Sequence, residues 1–143
     1  MAVITAIGAI ATAIAVGVGV YQLRVAKGLA QAAFEDELTQ EYRSVVAALP
    51  VAAFYVDSTL TPTEDARQSF LTYVNLSNHQ LWLADHGRIS NATAAHWKQA
   101  ITDNLELPAF RSAWDEIAAS VPEGFFGTLR DEVPPRRLAE RET

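Results

Sequence analysis

The sequence predicts an all-α protein in which one N-terminal transmembrane helix continues into a four-helix cytoplasmic bundle. Three observations predict it. Ala2 to Leu23 carry no charged side chain. The apolar residues that follow recur at helical spacing in four segments. Proline, glycine and hydroxyl cap signals separate those segments, and no convincing strand pattern or repeat interrupts them. The domain reading is residues 1–24 as the transmembrane helix, 25–129 as the helical cytoplasmic domain and 130–143 as a charged flexible tail.

The N-terminal run reads AVITAIGAIATAIAVGVGVYQL and ends at Arg24. At 1.5 Å per residue it reaches roughly 33 Å, enough for a ~30 Å hydrocarbon core. A signal peptide would place basic residues before the apolar run. Here Arg24 and Lys27 follow it, and the small-residue site Ala30-Gln31-Ala32 lies beyond those charges. A buried core helix in a soluble protein is disfavoured by the uninterrupted length. The strongly apolar residues from Val3 to Leu23 favour insertion by about 3 to 5 kcal/mol, which Gly8, Gly17, Gly19, Thr5 and Thr12 partly offset. A span that weak suits packing against another helix. Ala9, Ala13 and Gly17 form a small-residue face for it, and Ala11, Ala15 and Gly19 form an adjacent one. With so many alanines such spacings also arise by chance. Arg24 and Lys27 put the domain in the cytoplasm and the N-terminus outside, and Tyr21 falls at the interface.

Phe34, Leu38, Tyr42, Val45 and Leu49 mark the first amphipathic segment, which continues the span until Pro50 ends it. Thr61-Pro62-Thr63-Glu64 reads as a helix start with Thr61 as the cap, Pro62 at the first position and Glu64 three residues after the cap. The second helix then carries Phe70, Tyr73, Val74, Leu81 and Ala84 to a stop at Gly87. Ser90 caps the third, with Ala94, Trp97, Ile101 and Leu105. Pro108 opens the fourth, with Phe110, Trp114, Ile117 and Val121. Trp97 and Trp114 belong in the core, and Trp82 falls beside the main stripe of its helix. Phe125, Phe126 and Leu129 suggest a short turn packing back on the core.

Tyr21-Gln22-Leu23-Arg24, Phe34-Glu35-Asp36 and Glu41-Tyr42-Arg43 form one set of short motifs. Gly87-Arg88-Ile89-Ser90 before Trp97, and Leu107-Pro108-Ala109-Phe110 before Trp114, form another. Over residues 3 to 120 the chain thereby resembles a group of uncharacterised bacterial single-pass membrane proteins. The resemblance implies a topology, a single span and a small helical cytoplasmic domain, and assigns no catalytic residue.

The chain has 143 residues, no cysteine and a net charge of −6. Disulfides and thiolate chemistry are excluded, and the acidic balance argues against nucleic acid as a partner. No phosphate loop, nucleophile elbow or His-Glu-x-x-His occurs. His79, Asp85, His86 and His96 could form a His/carboxylate metal site. The Glu-x-x-His spacing of di-iron bundles is missing, so capping or pairing roles for these histidines are favoured and no catalytic, cofactor or metal residue is assigned. The sequons at Asn75 and Asn91 are read as chance.

Glu35, Asp36, Glu37 and Glu41 begin an acidic stretch that, with Trp82, is the candidate surface for docking a partner; a solvated helix face is the plainer reading. The expected function is non-enzymatic, an accessory or scaffolding subunit of a membrane protein assembly in the bacterial inner membrane. Its partners would be the lipid bilayer and a membrane protein, or a homo-oligomer formed through the span. The alternative is a membrane effector or sensor that oligomerises through its span, for example in bacterial defence.

Overall fold

A computed structural model describes the backbone of residues 2–60 and 63–136 and the side chains of residues 16–60 and 63–136. Among these residues the protein is all-helical, with no strand. Five α-helices follow in order: α1 (Ala2–Ala47), α2 (Glu64–Asp85), α3 (Asn91–Glu106), α4 (Pro108–Ser120) and α5 (Gly127–Glu132). A 3-10 turn, Val51–Phe54, comes between α1 and α2. Contacts divide the chain into two units, Met1–Asp36 and Glu37–Thr143. The division falls inside α1, twelve residues beyond the boundary expected at residue 24.

The first unit is the N-terminal part of α1. Val16, Val18, Val20, Tyr21, Leu23, Val25 and Leu29 are all exposed. A Cβ added at Gly17, Gly19 or Gly28 would meet nothing within 4 Å. Gly28 does not break the helix. Among the described residues no helix is long and apolar enough to cross a membrane. The transmembrane reading of Ala2–Leu23 therefore draws no support from those residues. Ala9 and Ala13 of the expected helix-packing face have side chains outside the described set.

The second unit is a helical domain whose elements begin and end for identifiable local reasons. α1 stops at Ala47, three residues before Pro50, and Leu49 turns into the core. Helix α2 starts two residues later than the Thr61 cap expected from sequence. Thr63 is the N-cap, and its Oγ1 accepts from the Ala66 N–H at 3.3 Å. This register places Glu64 and Asp65 in the first turn, against the positive end of the helix dipole. Thr61 and Pro62 lie outside the described residues.

At its other end α2 closes in a Schellman motif. Gly87 sits at φ +60° in the left-handed region. Its N–H donates to Ala84 O at 3.1 Å, and the Arg88 N–H donates to Leu83 O at 2.9 Å. Ser90 caps α3 by accepting from the Thr93 N–H, and Pro108 occupies the first turn of α4.

The core gathers around Phe110. Phe54, Phe70 and Tyr73 each set a ring edge-on to it, with centroids 5.1, 5.2 and 4.9 Å away. Ile101, Leu105, Trp114 and Leu129 are fully buried in the same cluster. Leu38, Leu83 and Ile89 form a smaller cluster against which Trp97 packs, only partly buried. Trp114 thus lies in the core as its stripe predicts, whereas Trp97 is one layer out.

Order continues past residue 129, where a loose tail is expected. Helix α5 has no side-chain cap of its own: Phe126, its N-cap residue, sits at φ 59° with its ring buried. The missing cap comes from α2, where Asn78 Oδ1 accepts the Leu129 N–H at 3.1 Å. Arg130 fixes the turn by donating to Phe125 O and Ala118 O, with its guanidinium 5.8 Å from the Trp114 ring centroid. Beyond it Val133 is buried, and the Arg136 N–H donates to Asp115 Oδ1. The remainder of the expected tail, residues 137–143, lies outside the described residues.

Candidate functional site: a donor-lined cavity in the helical domain

Helices α2 and α3 pack with the C-terminal part of α1 around a cavity of about 250 Å³. Thr39, Tyr42 and Arg43 line it from α1, Gln80 from α2, and His96, Trp97, Ala100 and Ile101 from α3. Arg43 and His96 are exposed, Trp97 and Tyr42 are half-buried, and Gln80 is 2 % exposed.

Gln80 is the unusual residue. It occupies the buried side of α2 with Tyr73, Val74, Ser77 and Leu81, where an apolar side chain would be expected. Its Nε2 is buried and finds no hydrogen-bond partner among the described residues. A buried amide donor left unpaired costs about 1 to 3 kcal/mol, so the position is expensive for packing alone.

The ring centroid of Tyr42, which lines the cavity, lies 6.4 Å from that of Tyr73. Asn104 bridges them: its Nδ2 donates to Tyr73 Oη at 3.0 Å and to Tyr42 Oη at 3.2 Å. Each hydroxyl oxygen accepts there, so each keeps its own proton to donate elsewhere. Burial pushes the Tyr73 hydroxyl pKa up to about 12, and the Asn104 hydrogen bond only partly opposes that.

A second concavity, an apolar groove of about 220 Å³, runs between α2 and α4. Phe70, Leu71, Ala113, Ile117 and Val121 form its floor. Arg67 lies 3.5 Å from Glu116 at its edge. Glu64, Gln68 and Ser120 also line it.

The residues singled out for docking fall on α1 and α2. Glu35 accepts from Gln31 Nε2 on its own helix at 3.3 Å. Asp36, Glu37 and Glu41 are exposed, and Glu37 and Glu41 share a face at i, i+4. Gly17, the described member of the small-residue face, is exposed. Trp82, 42 % exposed, stacks with the His86 ring at 4.1 Å and lies parallel to His79 at 6.2 Å. His86 Nδ1 is also 2.8 Å from Trp82 O. These histidines therefore belong to an aromatic stack along α2, while His96 faces the cavity on α3. No group of three or more His, Asp or Glu that could hold a metal forms among the described residues.

The cavity residues Gln80, Tyr42 and Arg43 were missed as a site in the sequence. The one signal was a glutamine and a serine on the apolar stripe of α2. Nothing in the sequence joined that stripe to Arg43 or His96, because the joining contacts are tertiary. No protein-family model, curated protein or solved structure matches the chain.

Proposed function

We propose that the protein is a non-enzymatic accessory or scaffolding subunit of a bacterial inner-membrane assembly. Its N-terminal helix is the anchor and packs on a membrane-protein partner or on another copy of itself. Its N-terminus lies outside and its helical domain in the cytoplasm. The observation that carries the reading is on α1. The helix runs 46 residues without a break, and Val16, Val18, Val20, Tyr21 and Leu23, the described large side chains of its uncharged stretch, are between 43 % and 72 % exposed. Large apolar side chains exposed along one helix are a candidate interaction surface. The uncharged residues of the same stretch and the bases Arg24 and Lys27 immediately after it support a lipid environment with that orientation.

The test is extraction of the full chain from membranes with a gentle detergent, followed by mass measurement of the particle. The expected particle is larger than one chain plus its micelle, and Gly17→Leu shrinks it by blocking close helix approach. A strictly monomeric particle with no co-purifying protein, or a chain released from membranes by high salt alone, overturns the proposal.

A further inference from the structure

We propose that the cavity between α1, α2 and α3 is a binding site for a small planar carboxylate. The reading is independent of the membrane assembly proposed above and rests on residues from Thr39 onward. At about 250 Å³ the cavity has the volume of about eight liquid waters. That accommodates a one-ring molecule.

The chemistry of the lining selects the ligand. Gln80 Nε2 is an unpartnered donor on a side chain that is 2 % exposed. Arg43 carries a positive charge and makes no ion pair among the described residues. Tyr42 already accepts from Asn104, which leaves its O–H to donate. His96 supplies a ring N–H in either tautomer. No carboxylate lines the cavity. A ligand that accepts at several points and carries negative charge therefore satisfies this set, and a cation does not.

The remaining lining includes apolar side chains. Trp97 offers an indole, and Ala100 and Ile101 complete the surface beside it. A planar ring packs against such side chains with little loss of conformational entropy. A carboxylate then reaches Gln80 and Arg43, which approach the cavity from different helices. Binding would tie α2 to α1 through the two oxygens of one group, so occupancy of the site would stiffen the domain.

Sodium benzoate is the probe, titrated into the full-length ¹⁵N-labelled protein. The Gln80 side-chain amide and the Trp97 indole N–H are the reporters, assigned with Gln80→Leu and Trp97→Phe. Benzoate is expected to shift both signals saturably. Benzyl alcohol tests the need for charge, and inorganic phosphate tests the need for a ring; both should bind at least about tenfold more weakly. Gln80→Leu and Arg43→Ala should each weaken benzoate about tenfold, the value of one hydrogen bond to a charged group. Gln80→Leu keeps the volume and removes the orphan amide, so it should melt no lower than the parent, which separates lost binding from lost folding. Unmoved reporters would mean that the cavity holds only water, and Gln80→Leu binding as the parent does would mean that the Gln80 amide does not hold the ligand; either result would overturn the proposal. Equal binding of benzyl alcohol overturns the anion assignment, and equal binding of phosphate overturns the planar one.

Discussion

The indole N–H of Trp114 donates to the backbone carbonyl of Val133 at 2.9 Å, across nineteen positions of sequence. This bond clasps the end of the domain to α4. Two neighbours reinforce it: Arg111 Nη1 donates to Pro134 O at 3.1 Å, and Asp115 Oδ1 accepts the Arg136 N–H at 2.9 Å. Successive turns of α4 thus hold residues 133–136 by their backbone, so a stretch rich in proline and charge is packed.

Trp114→Phe keeps a ring in the core and loses the clasp, and should lower stability by about 1 kcal/mol. Trp114→Ala adds a cavity and should cost about 3 to 5 kcal/mol. Trp97→Ala, at a half-buried site, should cost no more than about 2 kcal/mol. Thermal and denaturant unfolding of the three variants gives the ranking, and an equal loss for the two alanine variants contradicts this core.

Asp115 is 3 % exposed and holds both the Arg136 N–H and, at 4.0 Å, the Arg111 guanidinium. Asp115→Ala strands the Arg136 N–H and takes the counter-charge from Arg111, which keeps its bond to Pro134 O, for a loss of about 2 to 4 kcal/mol. Asp115→Asn retains an acceptor and should lose less than half of that. Amide hydrogen exchange at Arg136 supplies the local readout, with fast exchange expected in Asp115→Ala.

The Tyr73 hydroxyl sets a pH dependence. Its pKa rises from 10.0 unfolded to about 12 folded, chiefly through burial. The folded state therefore holds a proton that the unfolded state has released. Stability is intact below pH 10 and falls as pH climbs from about 10 to about 12, by up to roughly 3 kcal/mol. Urea midpoints measured across that range should fall more gently for Tyr73→Phe. A parent and variant with parallel profiles would show that Tyr73 does not contribute.

Asn104 is the donor shared by Tyr42 and Tyr73. Asn104→Ala leaves the buried Tyr73 hydroxyl without it and should cost about 1 to 3 kcal/mol. Adding Tyr73→Phe to Asn104→Ala removes the stranded group and should recover part of the loss. A double-mutant cycle that sums to simple additivity would show that the bridge carries no coupling.

Gly87→Ala isolates a backbone effect. The glycine sits at φ +60°, and a Cβ there would meet nothing within 4 Å. The whole penalty is left-handed strain, about 1 kcal/mol. Gly124→Ala, at a glycine without positive φ and with equal space, is the control and should change stability by less than about 0.5 kcal/mol.

By itself the sequence determined what depends on neighbours within a few residues. Helical spacing, Pro50, Gly87, Ser90 and Pro108 marked where helices begin and end, because capping, left-handed glycine and the missing proline N–H act over one turn. Phe110 and Trp114 were legible as core because one face of a helix must be buried. The tertiary structure decided what depends on distant partners. Thr63 caps α2 in place of Thr61, and Asn78 caps α5 from another helix. Val133 joins the core because the Trp114 indole holds its carbonyl. Trp97 packs on the smaller cluster of Leu38, Leu83 and Ile89 in place of the main core. Gln80 reads in sequence as a polar residue misplaced on an apolar stripe. Only the packing of α1 and α3 over α2 turns it into the buried donor of a cavity, because no local periodicity records which side chains other helices bring to meet it.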